Sequence, residues 1–201
     1  MKTSFKAGRP TGFDTDRALD MAMRLFWERG YEGTSMADLS QKMGIHPSSI
    51  YAAFGDKQDL FALAAKRYAD VPAQYMARAL EQRTFRDFIL AAFDNTVEFL
   101  GSKEHPLSCF TLTAAISCGA DTEPAKILMK EMRLQNEAAI KARLLRARKA
   151  GEFPKEENVD DFTRYLSSLL SGLAVQATNG ATRAELKRTA AVALRHLGVD
   201  R

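Results

Sequence analysis

The sequence predicts an all-α protein of about nine helices. Apolar residues recur at spacings of three and four along most of the chain, which is typical of amphipathic helices. No segment shows a convincing period-two alternation of apolar and polar residues, as a half-buried strand would. Glycine and proline residues separate the apolar runs. With 201 residues, 46% of them hydrophobic, the chain can bury a normal core in one domain or two small ones.

The first 13 residues predict a flexible basic arm, because they carry Lys2, Lys6 and Arg9 but neither an acidic residue nor apolar periodicity. Residues 14–60 then predict a domain of three helices, each with a capping residue before it and a glycine after it. The caps are Asp14, then Ser35 with Asp38, then His46 followed by Pro47. The expected helices are about 15–29, a short helix ending before Gly44, and about 47–53.

Residues 61–201 predict a second helical domain. A long helix is expected over about 56–79, and Pro72 should kink or interrupt it. The further helices are expected at about 84–102, 107–118, 123–149, 157–178 and 183–196.

Charge by itself is a weak guide to function. The formal net charge of +4 permits a nucleic-acid partner but does not establish one. Residues 126–150 hold 8 basic and 2 acidic side chains, which accounts for the whole excess and predicts a helix with a basic, solvated face. The three-helix domain carries 5 basic and 8 acidic side chains, so its basic groups would have to act by placement.

Cellular location is predicted from what the sequence lacks. No apolar stretch approaches the roughly 18 to 20 residues that cross a bilayer, and the N-terminus shows no signal core. A cytoplasmic protein with no membrane partner is therefore expected. Cys109 and Cys118 are expected to be free thiols, since two cysteines cannot build a disulfide framework.

Residues 41–46 join two short predicted helices into a helix-turn-helix, in which the first helix braces the second for entry into a major groove. Spacing alone leaves DNA binding open, because short helices with a glycine turn are common. A longer pattern covers 35 residues, with the order Phe26-x-x-x-Gly30-Tyr31-x-x-Thr34-Ser35-Met36-x-x-Leu39, Met43-Gly44-Ile45 and Ile50-Tyr51-x-x-Phe54-x-x-Lys57-x-x-Leu60. This pattern resembles the DNA-binding domain of TetR-type transcriptional regulators.

The resemblance implies a DNA-binding regulator, commonly a repressor, that binds a two-fold symmetric operator as a homodimer. It also implies a C-terminal domain that encloses a pocket for a small-molecule inducer, whose binding releases the dimer from double-stranded DNA. Residues 172–177, followed by Gly180 and Ala181, are similar to the paired-helix dimerisation region of many members.

Candidate DNA-contacting residues fall into three groups. Thr34, Tyr51 and Lys57 are expected to contact phosphates, although Tyr51 could be a core aromatic and Lys57 a solvated lysine. Lys6 and Arg9 suit a narrow minor groove, although the arm could equally make no contact. The positions of helix three expected to face the bases are His46, Pro47, Ser48, Ser49 and Ala52.

Candidate ligand and dimer residues lie in the second domain. An apolar or aromatic ligand is expected, although a phenylalanine-rich stretch can equally be plain core. The pocket candidates are Phe88, Phe93, Phe99, Cys109, Phe110, Leu112, Thr113 and Ile116. The dimer candidates are Leu166, Leu169, Leu170, Gly172 and Leu173, with an intramolecular core helix as the alternative.

Three other functions are alternatives to a regulator released by a small-molecule inducer. His105, Cys109 and Cys118 suggest a thiol- or metal-sensing regulator of the same fold, although buried cysteine more often only packs. A helical-bundle enzyme is disfavoured, because the chain has three widely spaced histidines and no glycine-rich phosphate loop, HExxH motif or nucleophile elbow. No cofactor and no metal site is therefore expected. An architectural DNA binder would leave about 140 residues without a role.

Overall fold

A computed structural model of the chain describes residues 12–70, 73–112 and 123–199. Within these ranges the elements are α-helices and no strand is present, as the sequence predicts. The helices are α1 (Thr15–Arg29), α2 (Met36–Met43), α3 (Pro47–Phe54), α4 (Lys57–Asp70), α5 (Ala73–Leu80), α6 (Phe85–Leu100), α7 (Glu123–Lys149), α8 (Val159–Thr178) and α9 (Arg183–His196).

The predicted caps begin the first helices. Asp14 accepts a hydrogen bond from the backbone N–H of Arg17 at 3.1 Å. Ser35 and Asp38 form the capping box, in which each side chain accepts from the other's backbone N–H. These hydrogen bonds from Ser35 hold the pKa of Asp38 below its usual value. Local sequence therefore determines where the N-terminal helices start.

Three predicted helices differ from the structure. The helix expected over 56–79 corresponds to α4 and α5, and Pro72, the expected point of interruption, lies outside the described residues. Of the helix expected over 107–118, residues 110–112 are helical and 113–118 lie outside the described residues. The helix expected from 157 begins at Val159, because the Asn158 side chain accepts from the backbone N–H groups of the first turn.

Two apolar cores organise the described residues. The first joins α1–α4 and continues past residue 60, because Phe61 and Tyr68 of α4 are buried against α1. Phe110 and Met129 of the second predicted domain also belong to this core. The second core joins α5 and α6 to α8, α9 and the C-terminal half of α7. The helices α1–α4 therefore rest on side chains from both halves of the chain.

A set of packed aromatic rings, here called the aromatic bridge, connects the two cores; its members are Trp27, Tyr68, Tyr75, Phe99 and His105. Trp27 of α1 donates from Nε1 to the Ser108 carbonyl at 3.0 Å, and its ring lies 5.8 Å from that of Phe99. The Phe99 ring lies 4.5 Å from that of Tyr75. The bridge therefore gives a continuous packed path from α1 to α5.

Arg143 of α7 holds the chain that follows α5. Its Nη2 donates to the carbonyls of Gln82 and Arg83, and its guanidinium lies over the Phe88 ring at 5.2 Å. We expect Arg143→Ala to lower the free energy of unfolding by about 2 kcal/mol, because two carbonyls lose a charged donor in a buried setting. Urea unfolding measures the change. Lys149→Ala, an exposed change on the same helix, is the matched control; equal stabilities for the two variants would contradict this role.

Candidate functional site

Helix α3 is held in place by buried apolar side chains, which it contributes to the first core together with α2. Leu39 and Met43 of α2 and Ile50 and Phe54 of α3 are buried in the first core. Gly44 adopts the left-handed conformation, with φ 66°, that turns the chain between the helices. This packing leaves the opposite face of α3 to solvent, as a helix that enters a major groove requires.

The solvent face of α3 carries no Asp, Glu, Lys or Arg side chain. Ser48, Tyr51 and Ala52 are exposed, with Tyr51 at 50%, as is the capping residue His46. Pro47 and Ser49 are half-buried. The His46 Nδ1 lies 2.9 Å from the Ser48 hydroxyl. The predicted base-facing residues thus share one surface, and their small side chains allow the helix backbone to approach DNA closely.

Thr34 is less available for DNA than the sequence suggests. It is fully buried, and its hydroxyl donates to the Gly30 carbonyl at 2.8 Å. A buried hydroxyl that is already donating to the backbone does not reach a phosphate without a rearrangement. The structure therefore argues against the Thr34 hydroxyl as a phosphate contact and gives it a role in joining α1 to α2.

Lys57 is the first residue of α4, and its ammonium lies 4.2 Å from the centroid of the Tyr31 ring. Burial lowers the pKa of Lys57, and the charges of Glu32 and Asp38 partly oppose that shift. A cation at a helix N-terminus gains from a nearby anion, so a DNA phosphate would stabilise it. The sequence did not predict the contact with Tyr31, which restrains the lysine at the edge of the α3 surface. Lys6 and Arg9 lie outside the described residues.

A cavity of about 470 Å³ lies among α5–α8. Of the predicted pocket residues, Cys109 and Leu112 line it, and Thr113 and Ile116 lie outside the described residues. The other predictions require correction, because the side chains fill the cores instead: Phe88 and Phe93 are buried in the second core, Phe110 in the first, and Phe99 in the aromatic bridge.

Polar groups that the sequence did not single out line the same cavity. Thr96 of α6 is 4% exposed, and within the described ranges neither its Oγ1 nor the Oγ of Ser167 on α8 has a hydrogen-bond partner. Lys130 and Arg133 of α7 also line it, so part of the basic excess on 126–150 faces a cavity as well as solvent. Burial raises the pKa of Tyr75, which keeps this lining phenol protonated.

Cys109 is a free thiol, and its Sγ lies 3.1 Å from the Thr111 hydroxyl. His105 instead stacks on Trp27, with ring centroids 4.9 Å apart, so the structure does not show these two residues as joint ligands of one ion. Within the described ranges, no three His, Cys, Asp or Glu side chains form a group that could hold a metal. Cys118 lies outside those ranges.

The predicted dimer residues divide between two faces of α8. Leu166, Leu170 and Leu173 are buried in the chain's own second core, so the intramolecular alternative holds for these three. Leu169 is half-buried and Gly172 is exposed. The exposed large apolar residues on α8 and α9 are Tyr165, Val175 and Val192.

None of the helices among the described residues is long and apolar enough to span a bilayer.

Comparison with known proteins agrees with this geometry. The family model described as bacterial regulatory proteins, tetR family, matches residues 18–64. The chain is 30% identical over 190 residues to the HTH-type transcriptional repressor ComR of Escherichia coli K12, covering 94% of this chain and 90% of that protein. It is 34% identical over 163 residues to the uncharacterized HTH-type transcriptional regulator YezE of Bacillus subtilis 168, covering 80% and 84% respectively.

A solved structure of the TetR family transcriptional regulator CifR, a cysteine mutant complexed with 26 bp double-strand operator DNA, is also similar. The TM-score is 0.89 at 32% identity, over 94% of this chain and 98% of that chain. Together with the exposed face of α3, these similarities define a DNA-binding transcriptional regulator of the helix-turn-helix class. The chain belongs to the TetR family.

Proposed function

We propose that the protein is a cytoplasmic repressor that binds a two-fold symmetric operator as a homodimer and is released by a small molecule bound in the α5–α8 cavity. The observation that carries the proposal is the solvent face of α3, an uncharged surface held by a buried core and bordered by Lys57. The repressor ComR and the operator complex of CifR support it. A single short α3 makes few base contacts, so specific binding calls for two copies.

The dimer surface that best fits is the exposed side of α8 with α9. Tyr165, Leu169, Gly172 and Val175 follow one another at helical spacing, and Gly172 has no heavy atom within 4 Å of where a Cβ would lie. A face of this kind lets a second helix approach closely over an apolar surface. Sedimentation of Gly172→Arg tests it: a monomeric species is expected, and an unchanged dimer would place the interface elsewhere.

Coupling between cavity and DNA follows the aromatic bridge. Tyr75 lines the cavity and stacks on Phe99, which packs against Trp27 of α1. A ligand that moves Tyr75 would therefore act on the helix that packs against α2 and α4. Because a dimer reads two half-sites at a fixed spacing, a small rotation of each domain is sufficient to lower operator affinity.

The experiment that tests the proposal separates phosphate contacts, made by α3 and by Lys57 at the start of α4, from base contacts made by α3. We expect Tyr51→Phe and Lys57→Ala to weaken binding to all DNA sequences similarly, because their groups would meet phosphates. Ser48→Ala and Ser49→Ala should instead change which bases are preferred. Fluorescence anisotropy on the operator and its single-base variants measures both. Equal losses across all variants for both pairs would contradict this division.

A second candidate, a thiol-sensing regulator of the same fold, is favoured by one observation. The Cys109 thiol lines the cavity, and the Tyr68 hydroxyl lies 3.8 Å from its Sγ. Cys109→Ser should then abolish operator release by electrophiles while leaving DNA binding intact. Unchanged release in that variant would exclude the candidate.

A further inference from the structure

The side of the cavity formed by α7 carries charged side chains toward its N-terminal end. Five α7 residues that line the cavity lie at spacings of three, four and seven, so they form one face of the helix. They are Lys130, Arg133, Leu134, Glu137 and Ile140. Lys130 and Arg133 lie one turn apart. Glu137 is seven residues from Lys130, which is about 10 Å along the helix axis. The two cations therefore lie toward the N-terminal end of this side, and the carboxylate lies one turn beyond Arg133.

In the part of the chain that the structure describes, neither cation at that end forms an ion pair. Among the described residues, no carboxylate lies within 4 Å of the Lys130 ammonium, and Lys130 is exposed. Arg133 donates from Nη1 to the Thr111 carbonyl at 2.6 Å, a neutral acceptor. Arg164, the third cation of the lining, lies 3.6 Å from the Asp161 carboxylate. The lining thus holds two cations without a counter-ion from the described chain, which favours an anionic guest.

The rest of the lining adds buried hydroxyls and apolar area. Within the described ranges, Thr96 Oγ1 and Ser167 Oγ are buried without a hydrogen-bond partner, although native proteins pair nearly all such groups. Both residues line the cavity, so an acceptor oxygen of a guest would supply the partner that the described chain does not. Apolar side chains form much of the remaining surface, namely Met76, Leu100, Leu112, Leu134, Leu170 and Ala174.

We propose that this cavity binds an amphipathic organic carboxylate. Lys130 and Arg133 bind the carboxylate, the apolar side chains surround the carbon skeleton, and Thr96 and Ser167 donate to an oxygen of the guest. The volume of about 470 Å³ lies within the range of about 300–1,000 Å³ that is typical of small-molecule sites. This inference rests on the proposed function and specifies its ligand, because an inducer of this class would fill the same cavity.

Glu137 is the feature that opposes the inference, since a lone carboxylate would favour a cationic guest. Glu137 lies seven residues from Lys130 and one helical turn from Arg133, and among the described residues no Lys or Arg nitrogen lies within 4 Å of its carboxylate oxygens. A carboxylate guest extended along α7 would place its uncharged end, not its charge, near Glu137. A preference for amines is therefore the specific result that would overturn the proposal.

The test compares carboxylic acids with alcohols and amines of the same carbon skeleton, in the absence of DNA. Matched trios such as 4-phenylbutyrate, 4-phenylbutan-1-ol and 4-phenylbutylamine, together with octyl and decyl trios, are titrated against the full chain. Thermal stabilisation and the fluorescence of Trp27, the only tryptophan, report binding. Trp27 donates to the carbonyl of Ser108, the neighbour of the cavity residue Cys109. We expect the acid to bind most tightly in at least one trio.

Lys130→Met identifies the site of the effect. This variant should weaken binding of the acid about 10-fold, because it removes one charge-assisted contact, and leave binding of the matching alcohol unchanged. Lys126→Met is the control, because Lys126 lies one turn earlier on α7, outside the cavity lining. Thr96→Val should weaken the acid without reducing the stability of the free protein, because it replaces an unpaired hydroxyl by a methyl group of similar size.

Four outcomes would contradict binding of a carboxylate in this cavity. A preference for the amine, equal binding of all three members in every trio, no acid bound in any trio, or the same loss in Lys130→Met and Lys126→Met would each overturn the proposal. Failure of the proposed function differs from all of these. If the acid binds through Lys130 but leaves the protein–operator complex intact at saturation, the ligand class holds and the inducer role does not.

Discussion

Ser48→Glu is expected to abolish specific operator binding while leaving the fold intact. Ser48 is exposed at the second position of α3, where a carboxylate is favoured by the helix dipole, so the change should not destabilise α3. On DNA the same carboxylate would face phosphates and base acceptors. A disrupted base contact costs about 1–3 kcal/mol, and a dimer carries the change twice, so the dissociation constant should rise roughly 100-fold or more.

Fluorescence anisotropy on operator DNA measures this loss, and thermal unfolding checks the fold. Ala184→Glu is the matched control, since Ala184 is the second, exposed residue of α9. That variant gains the same charge at the same helical position, far from α3 in sequence, and should bind the operator normally. Normal binding by Ser48→Glu would mean that α3 does not enter the groove through this face.

Phe61→Ala is expected to give the largest loss of stability. Phe61 is 1% exposed, and its ring lies 5.1 Å from Phe26, 5.0 Å from Tyr31 and 5.6 Å from Phe110. Removing it leaves a cavity where α1, α4 and residue 110 meet, which should lower the free energy of unfolding by about 3–5 kcal/mol. The Lys57 ammonium lies over the Tyr31 ring, which packs against Phe61, so loss of the Phe61 ring should also free the lysine from this contact.

Urea unfolding of Phe61→Ala, with Phe61→Leu as the milder control, measures the cost. Leucine restores most of the buried volume and should recover most of the stability. A loss below about 1 kcal/mol for alanine would mean that the first core collapses around the missing ring and that Phe61 does not join the two halves of the chain.

The sequence predicted the DNA-binding helices well because their limits depend on local chemistry. Caps such as Asp14 and the Ser35–Asp38 pair act within one turn, and Gly44 is needed where φ is positive. The burial of Thr34 was harder to predict, since its pattern is equally that of a phosphate contact. Its bond to Gly30, four residues earlier, depends on how tightly α1 packs against the turn.

The cavity could not be predicted in the same way. Apolar spacing indicates that Phe88 and Phe93 face inward, but it does not tell whether an inward side chain fills a core or borders a space. That difference depends on how α6 packs against α7 and α8, which only the assembled fold determines. Thr96, on the same helix, carries no signal in the sequence as a lone threonine, yet its buried hydroxyl has no hydrogen-bond partner among the described residues.

The dimer face that we propose on α8 was equally hard to predict from the sequence. The leucines of α8 follow a helical stripe, which predicts burial without distinguishing the chain's own core from a partner. Leu166, Leu170 and Leu173 belong to the core, whereas the surface available to a second copy begins at Leu169 and Gly172. Two adjacent stripes on one helix carry these two roles.

Hydroxyl-radical footprinting on the DNA upstream of the protein's own coding sequence tests whether two copies of α3 contact a two-fold symmetric operator. We expect two protected half-sites related by a two-fold axis, centred about one helical turn apart or a multiple of it, with protection lost in Ser48→Glu and retained in Ala184→Glu. Protection without two-fold symmetry, or only uniform, salt-sensitive binding that Ser48→Glu leaves unchanged, would contradict it.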